Sequence, residues 1–140
     1  RRQRPGQHRD GMDLMGAMQR RKGKRGELEL RDLLAEHLGV EFTRNLEQSR
    51  AGGSDLLGLP GWAIEVKRAA APSLGAWWAQ ACRHATGPDR PALFYRLDRK
   101  PWRVVLALRD VAAGLESAPL DMKIETGVEE FCAIARERIP

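Results

Sequence analysis

Cysteine is nearly missing from this chain. Cys82 and Cys132 are its two examples, and neither sits in a CxxC motif or a Cys/His cluster. That argues against a disulfide framework and against a structural zinc site, and it suits a reducing cytoplasm. Long apolar runs are missing as well: no stretch approaches the roughly 18 uninterrupted apolar residues that a membrane helix needs. The basic N-terminal segment is not followed by an apolar core, so a secretory signal is not expected either. No internal repeat is visible. What remains, at 140 residues with 42% hydrophobic and 31% charged content, predicts one globular domain able to bury a core.

The net charge of +5 hides an asymmetry. Residues 1–25 carry nine Arg or Lys against two Asp, a balance of +7, whereas the rest carries 15 basic and 17 acidic residues, a balance of −2. A basic arm on a near-neutral domain points to a polyanionic partner, most commonly nucleic acid; a solvated tail that aids solubility is the plainer alternative. Residues 1–22 show little periodicity and read as an irregular arm, with the domain proper spanning 23–140. Lys22, Lys24 and Arg25 then border the start of the first helix, a favourable place for phosphate.

From Gly26 the pattern becomes helical, with Leu30, Leu33, Leu34 and Leu38 on one face and Gly39 as the stop. Strands are expected over Val40–Leu46, Asp55–Leu59 and Trp62–Lys67, the last two joined at Pro60-Gly61. A second helix follows from Ser73 to Ala85, its apolar stripe formed by Leu74, Trp77, Trp78, Ala81, Cys82 and Ala85. Strands over Arg90–Leu97 and Trp102–Leu108, a short helix near Arg109–Leu115 and a last helix over Gly127–Arg138 complete the chain. This order predicts an α/β fold, a single domain with a mixed central sheet flanked by helices.

Three charged residues stand at the edges of these apolar strands. Glu65 and Lys67 are two apart, so they point to the same side of their strand, and the Pro60-Gly61 turn brings Asp55 beside them. Paired carboxylates at close quarters need a cation or a proton. A hard divalent ion such as Mg²⁺ or Mn²⁺, sharing one or two carboxylates with waters and phosphate oxygens, meets that need. The alternative is an ordinary cross-strand salt bridge on a solvated face. A third acid enters from the first helix: at about 100° per residue, Glu27 falls about 60° from Leu30, inside the stripe that should face the sheet. An acid there needs a partner or a task, unless it is a first-turn glutamate reaching out to water.

The segments Lys22-Gly-Lys-Arg-Gly-Glu27, Arg44, Ser49-Arg-Ala-Gly-Gly-Ser-Asp55 and Ala63-Ile-Glu65-Val-Lys67 together resemble the PD-(D/E)XK nuclease superfamily. Within it, the pattern is most similar to archaeal and phage-type Holliday junction resolvases. The likeness covers roughly Lys22 to Val105, and Ser54 stands where the motif's proline would be. It implies a restriction-endonuclease-like α-β-β-β-α-β core. It also implies a divalent-metal-dependent DNA endonuclease, with Asp55, Glu65 and the Val66 carbonyl holding the ion and Glu27 supporting the ion or its water. Lys67 becomes the catalytic lysine and Ser49 a residue near the scissile phosphate. Lys22, Lys24, Arg25, Arg44, Arg50, Arg68 and Gln80 make up the expected DNA-contacting set. His84 reads as a surface or rim residue, with no second histidine near it. A junction has near two-fold symmetry, so a homodimer is expected, built on the Trp77 helix or on the last helix around Phe131. Restriction, repair or replication nucleases of the same superfamily are the alternative, and a non-catalytic DNA-binding module is a third reading.

Overall fold

The computed structural model describes residues 7–46 and 53–138, with side chains from residue 14 onward. Its elements are α1 (Gln7–Leu38), β1 (Thr43–Arg44), β2 (Leu56–Leu57), β3 (Trp62–Ala69), α2 (Leu74–His84), β4 (Arg90–Leu97), β5 (Arg103–Ala107), α3 (Leu108–Val111), β6 (Lys123–Gly127) and α4 (Val128–Glu137). The six strands form one mixed sheet in chain order, β1 to β6. Only β3 and β4 are parallel, in register from Trp62↔Arg90 to Ala69↔Leu97. Parallel neighbours need a crossover, and α2 supplies it. The other neighbours are antiparallel hairpins or short returns.

The sheet is covered on both faces, and strand parity decides which residue goes where. Ile64, Val66, Ala92, Phe94, Val104 and Leu106 pack with Leu30 and Leu34 of α1 and with Phe131, Cys132 and Ala135 of α4. Phe131 meets Trp62 and Phe94 edge-on at centroid distances of 5.1 and 4.9 Å. On the opposite face, Leu93, Tyr95, Val105 and Ala107 pack with Trp78 and Ala81 of α2. The indole N–H of Trp78 donates to the Leu120 carbonyl at 3.1 Å. Glu65 pairs in register with Leu93, and Lys67 with Tyr95. The two charged residues therefore belong to the α2 face.

The structure corrects several expectations. The first helix begins at Gln7, not Gly26, so much of the segment read as an irregular arm is helical. Apolar periodicity reports packing, and the apolar side chains described here do not pack: Leu14, Met15 and Met18 are 64%, 68% and 61% exposed. Lys22, Lys24 and Arg25 consequently sit in the middle of α1 and not at its N-terminus. The strands expected at Val40–Leu46 and Asp55–Leu59 shorten to two residues each. A sixth strand, Lys123–Gly127, went unforeseen because an edge strand with one half-solvated face shows no apolar run. Phe131 is fully buried and belongs to the core, so it builds no dimer interface.

One turn between β2 and β3 depends on glycine itself. Gly58 has φ +134°, and a Cβ there would run into the Glu41 carbonyl oxygen and lie 3.1 Å from Phe42 Cα. Backbone, unlike a side-chain tip, cannot swing aside. Gly58→Ala is expected to cost about 3 kcal/mol, read as a lower urea midpoint at an unchanged slope.

Candidate active site

The site begins where the sheet stops pairing. β2 meets β3 at Leu56↔Ile64, and the Asp55 amide donates to the Ile64 carbonyl at 2.7 Å. There β2 ends, and the next amide on β3 has no strand to bond. Asp55 takes it: Val66 N–H donates to Asp55 Oδ2 at 2.6 Å. The carboxylate thus closes the ladder, and it lines the same cleft as Glu65. The loop before it is anchored at both ends by Asn45, whose amide donates to the Asp55 carbonyl at 2.9 Å and whose side chain donates to the Ser54 carbonyl at 3.0 Å.

Asp55 and Glu65 are the two buried charged residues among those described, 6% and 2% exposed. Burying two carboxylates side by side is costly unless each has partners. Glu65 has them. Lys67 Nζ lies 3.8 Å from its Oε1, and His84 Nδ1 lies 2.8 Å from its Oε2. With Glu65 ionised, Nδ1 carries the proton and donates it.

Glu27 arrives from α1 and accepts from Arg44 Nε at 2.6 Å. Burial pushes its carboxyl above the usual range, the Arg44 hydrogen bond opposes that, and the negative charge of Asp55 adds to the rise. The arginine expected to contact phosphate is therefore paired with an acid in this arrangement. Together Gln19, Gly23, Glu27, Asp55, Glu65, Val66, Lys67, Arg68, Trp77, Gln80 and His84 line one open cleft of about 720 Å³.

Of the residues singled out from sequence, Glu27, Asp55, Glu65, Val66, Lys67, Arg68 and Gln80 meet here. Ser49 and Arg50 lie outside the described residues. Arg68 is held by Glu29 at 3.6 Å and Asp98 at 3.8 Å, and Lys22 pairs with Asp98 at 2.7 Å. Lys24 and Arg25 are exposed on α1. His84 is not the rim residue expected. The signal was present in its spacing, since Trp77, Gln80 and His84 recur at three and four along α2 and so share a face. Only the tertiary structure shows that this face covers Glu65.

A second cleft of about 710 Å³ runs along α1 past Trp102 to Val128. It contains neither the buried carboxylates nor Lys67.

No helix among the described residues is long and apolar enough to cross a membrane. The comparisons with known proteins agree with the geometry. Residues 18–130 match the model of a family described as "Phage putative PDDEXK endonuclease". The chain belongs to this family. The match spans α1 from Met18 to the start of α4, and so contains every cleft residue named above. Protein D14 of Escherichia phage T5 is 30% identical over 122 aligned residues, covering 69% of this chain and 75% of that protein. No solved structure matches the chain significantly. Membership in a PDDEXK endonuclease family makes DNA the implied substrate.

Proposed function

We propose that this phage-family nuclease hydrolyses DNA phosphodiesters with a divalent metal ion, and that its preferred substrate is a four-way junction. The carrying observation is the pair Asp55 and Glu65, buried at 6% and 2% exposure where β2 leaves β3, with Lys67 beside them. Nucleases of this superfamily generally use divalent metals, and the donor set fits one. Among the described residues no three His, Cys, Asp or Glu side chains converge as a closed cage. A hard ion that keeps waters and takes phosphate oxygens needs only one or two carboxylates. Asp55, Glu65 and the Val66 carbonyl would hold it, with Glu27 within reach of the same charge field. Bound there, Mg²⁺ or Mn²⁺ would acidify a water and neutralise charge on the scissile phosphate.

The remaining steps fall to the chain's own groups. Lys67 places an ammonium beside the reacting phosphate, where negative charge builds in the transition state. His84 fixes the Glu65 carboxylate through Oε2 and leaves Oε1 turned toward Lys67. Arg44 holds the Glu27 carboxylate at the side of the cleft. Gln80 and Trp77 form the α2 wall of the cleft. A homodimer presenting two such clefts would match the near two-fold symmetry of a junction.

Junction preference is separable from nuclease chemistry. A labelled four-way junction and a linear duplex of the same sequence, each with Mg²⁺, should differ about 100-fold or more in kcat/KM, a difference of roughly 3 kcal/mol. Equal cutting of both would assign the protein to the repair or restriction alternative. Binding of both DNAs with no cutting of either, in Mg²⁺ or Mn²⁺, would leave the non-catalytic module.

A further inference from the structure

We infer that the DNA strand being cut crosses α1 at Gly23, its sugar–phosphate backbone lying against bare helix backbone between Gln19 and Glu27. This rests on the nuclease reading of the cleft and adds the wall along which the substrate runs.

The fold does not need a glycine at position 23. Gly23 lies in the interior of a 32-residue helix, where glycine is among the poorest formers. No positive φ is attached to it, and a Cβ built on it would meet nothing within 4 Å. Its neighbour Gly26 differs: there a Cβ would lie 2.8 Å from Arg68 Cγ, so that glycine is explained by packing. At Gly23 alanine would fit and would strengthen the helix. The space it leaves open belongs to the cleft, because Gln19, Gly23 and Glu27 line it at successive intervals of four.

The face concerned is also the one that packs the core further along. At about 100° per residue, Gly23 lies within about 20° of Leu30 and Leu34 on the helix surface. Those leucines are fully buried under the sheet. One helical turn before Glu27, about 6 Å along the axis, the same face holds no side chain at all. Basic groups stand beside the gap. Arg20 and Lys24 lie about 60° and about 100° round from Gly23, on the side of Glu27. Both are exposed and neither has an ion pair among the described residues. An anionic chain that must come close to a helix while being held by flanking cations matches this wall in both shape and charge.

The test measures DNA affinity without metal and cleavage with it. Gly23→Leu should fold with a melting temperature at or above that of the wild type, a few degrees higher if helix propensity is expressed in full. Its affinity for a fluorescent junction in EDTA should fall about 10-fold, and its kcat/KM in Mg²⁺ about 100-fold. Gly23→Ala should show the same signs in smaller measure, and it serves if the leucine variant does not fold. The double variant Arg20→Gln/Lys24→Gln should lower the slope of log affinity against log salt by about 2. Wild-type affinity in both Gly23 variants, or an unchanged salt slope in the double variant, would overturn the inference even if the wild type cuts DNA. Failure of the wild type to cut any DNA in Mg²⁺ or Mn²⁺ would instead overturn the nuclease reading on which the inference rests.

Discussion

Asp55→Asn is expected to lower DNA cleavage by about 1000-fold, roughly 4 kcal/mol of transition-state stabilisation, without unfolding the protein or releasing DNA. The substitution keeps size and shape. The asparagine oxygen still accepts from Val66 N–H, the contact that Asp55 Oδ2 makes at 2.6 Å, so the end of the β2–β3 ladder stays closed. What is lost is a negative charge beside a second buried carboxylate. In the metal-free protein that charge works against its neighbours, because Asp55 helps to push the Glu27 carboxyl upward. Metal-free Asp55→Asn should therefore melt at or above the wild-type temperature. A core residue with no task in catalysis would behave in the opposite way, losing stability with little specific loss of cleavage. Cleavage by single-turnover kinetics, measured beside a thermal melt in EDTA, separates the two. Retention of more than a tenth of wild-type cleavage would remove Asp55 from the site.

The second large effect concerns the scaffold. Phe131 is fully buried on α4 and makes edge-on contacts with both Trp62 and Phe94. Those two residues begin β3 and centre β4, the parallel pair that carries Glu65 and Lys67. Phe131→Ala should cost about 4 kcal/mol, the transfer term plus the cavity it leaves. For a domain of this size that is a fall of roughly 12 °C in Tm. Cleavage by the fraction still folded should be close to normal, since Phe131 does not line the cleft. A loss below 1 kcal/mol in urea unfolding would mean that the α4 face packs differently.

The legible part of this protein was the meeting of Asp55, Glu65 and Lys67 in one cleft, together with its central strands. Period-two alternation placed Glu65 and Lys67 together, and Pro60-Gly61 placed Asp55 beside them, because hairpin register is a local property. The Arg90–Leu97 strand was readable because its centre, Pro91 to Tyr95, is buried and carries no charge. The N-terminal half of α1 was not readable. Leu14, Met15 and Met18 of it are exposed, and glycines at positions 11, 16, 23 and 26 obscure the pattern. Strand β6 was missed for a related reason, since its outer edge faces water and Lys123 and Glu125 are exposed. His84 shows a different limit. Helical spacing put it on a face with Gln80, but which sheet residue that face covers depends on how α2 crosses from β3 to β4. That crossover geometry is tertiary, and no local pattern encodes it.

The proposed hydrolysis of DNA by Asp55 and Glu65 through a divalent ion makes a direct demand on the metal. Single-turnover cleavage of an end-labelled junction by the wild-type protein tests it most directly, first in Mg²⁺, then in excess EDTA, then with Mg²⁺ restored. The account predicts cutting in Mg²⁺, loss to background in EDTA, and full recovery when the metal returns. Undiminished cutting in EDTA would contradict it, as would a folded, DNA-bound protein that cuts under none of the three conditions.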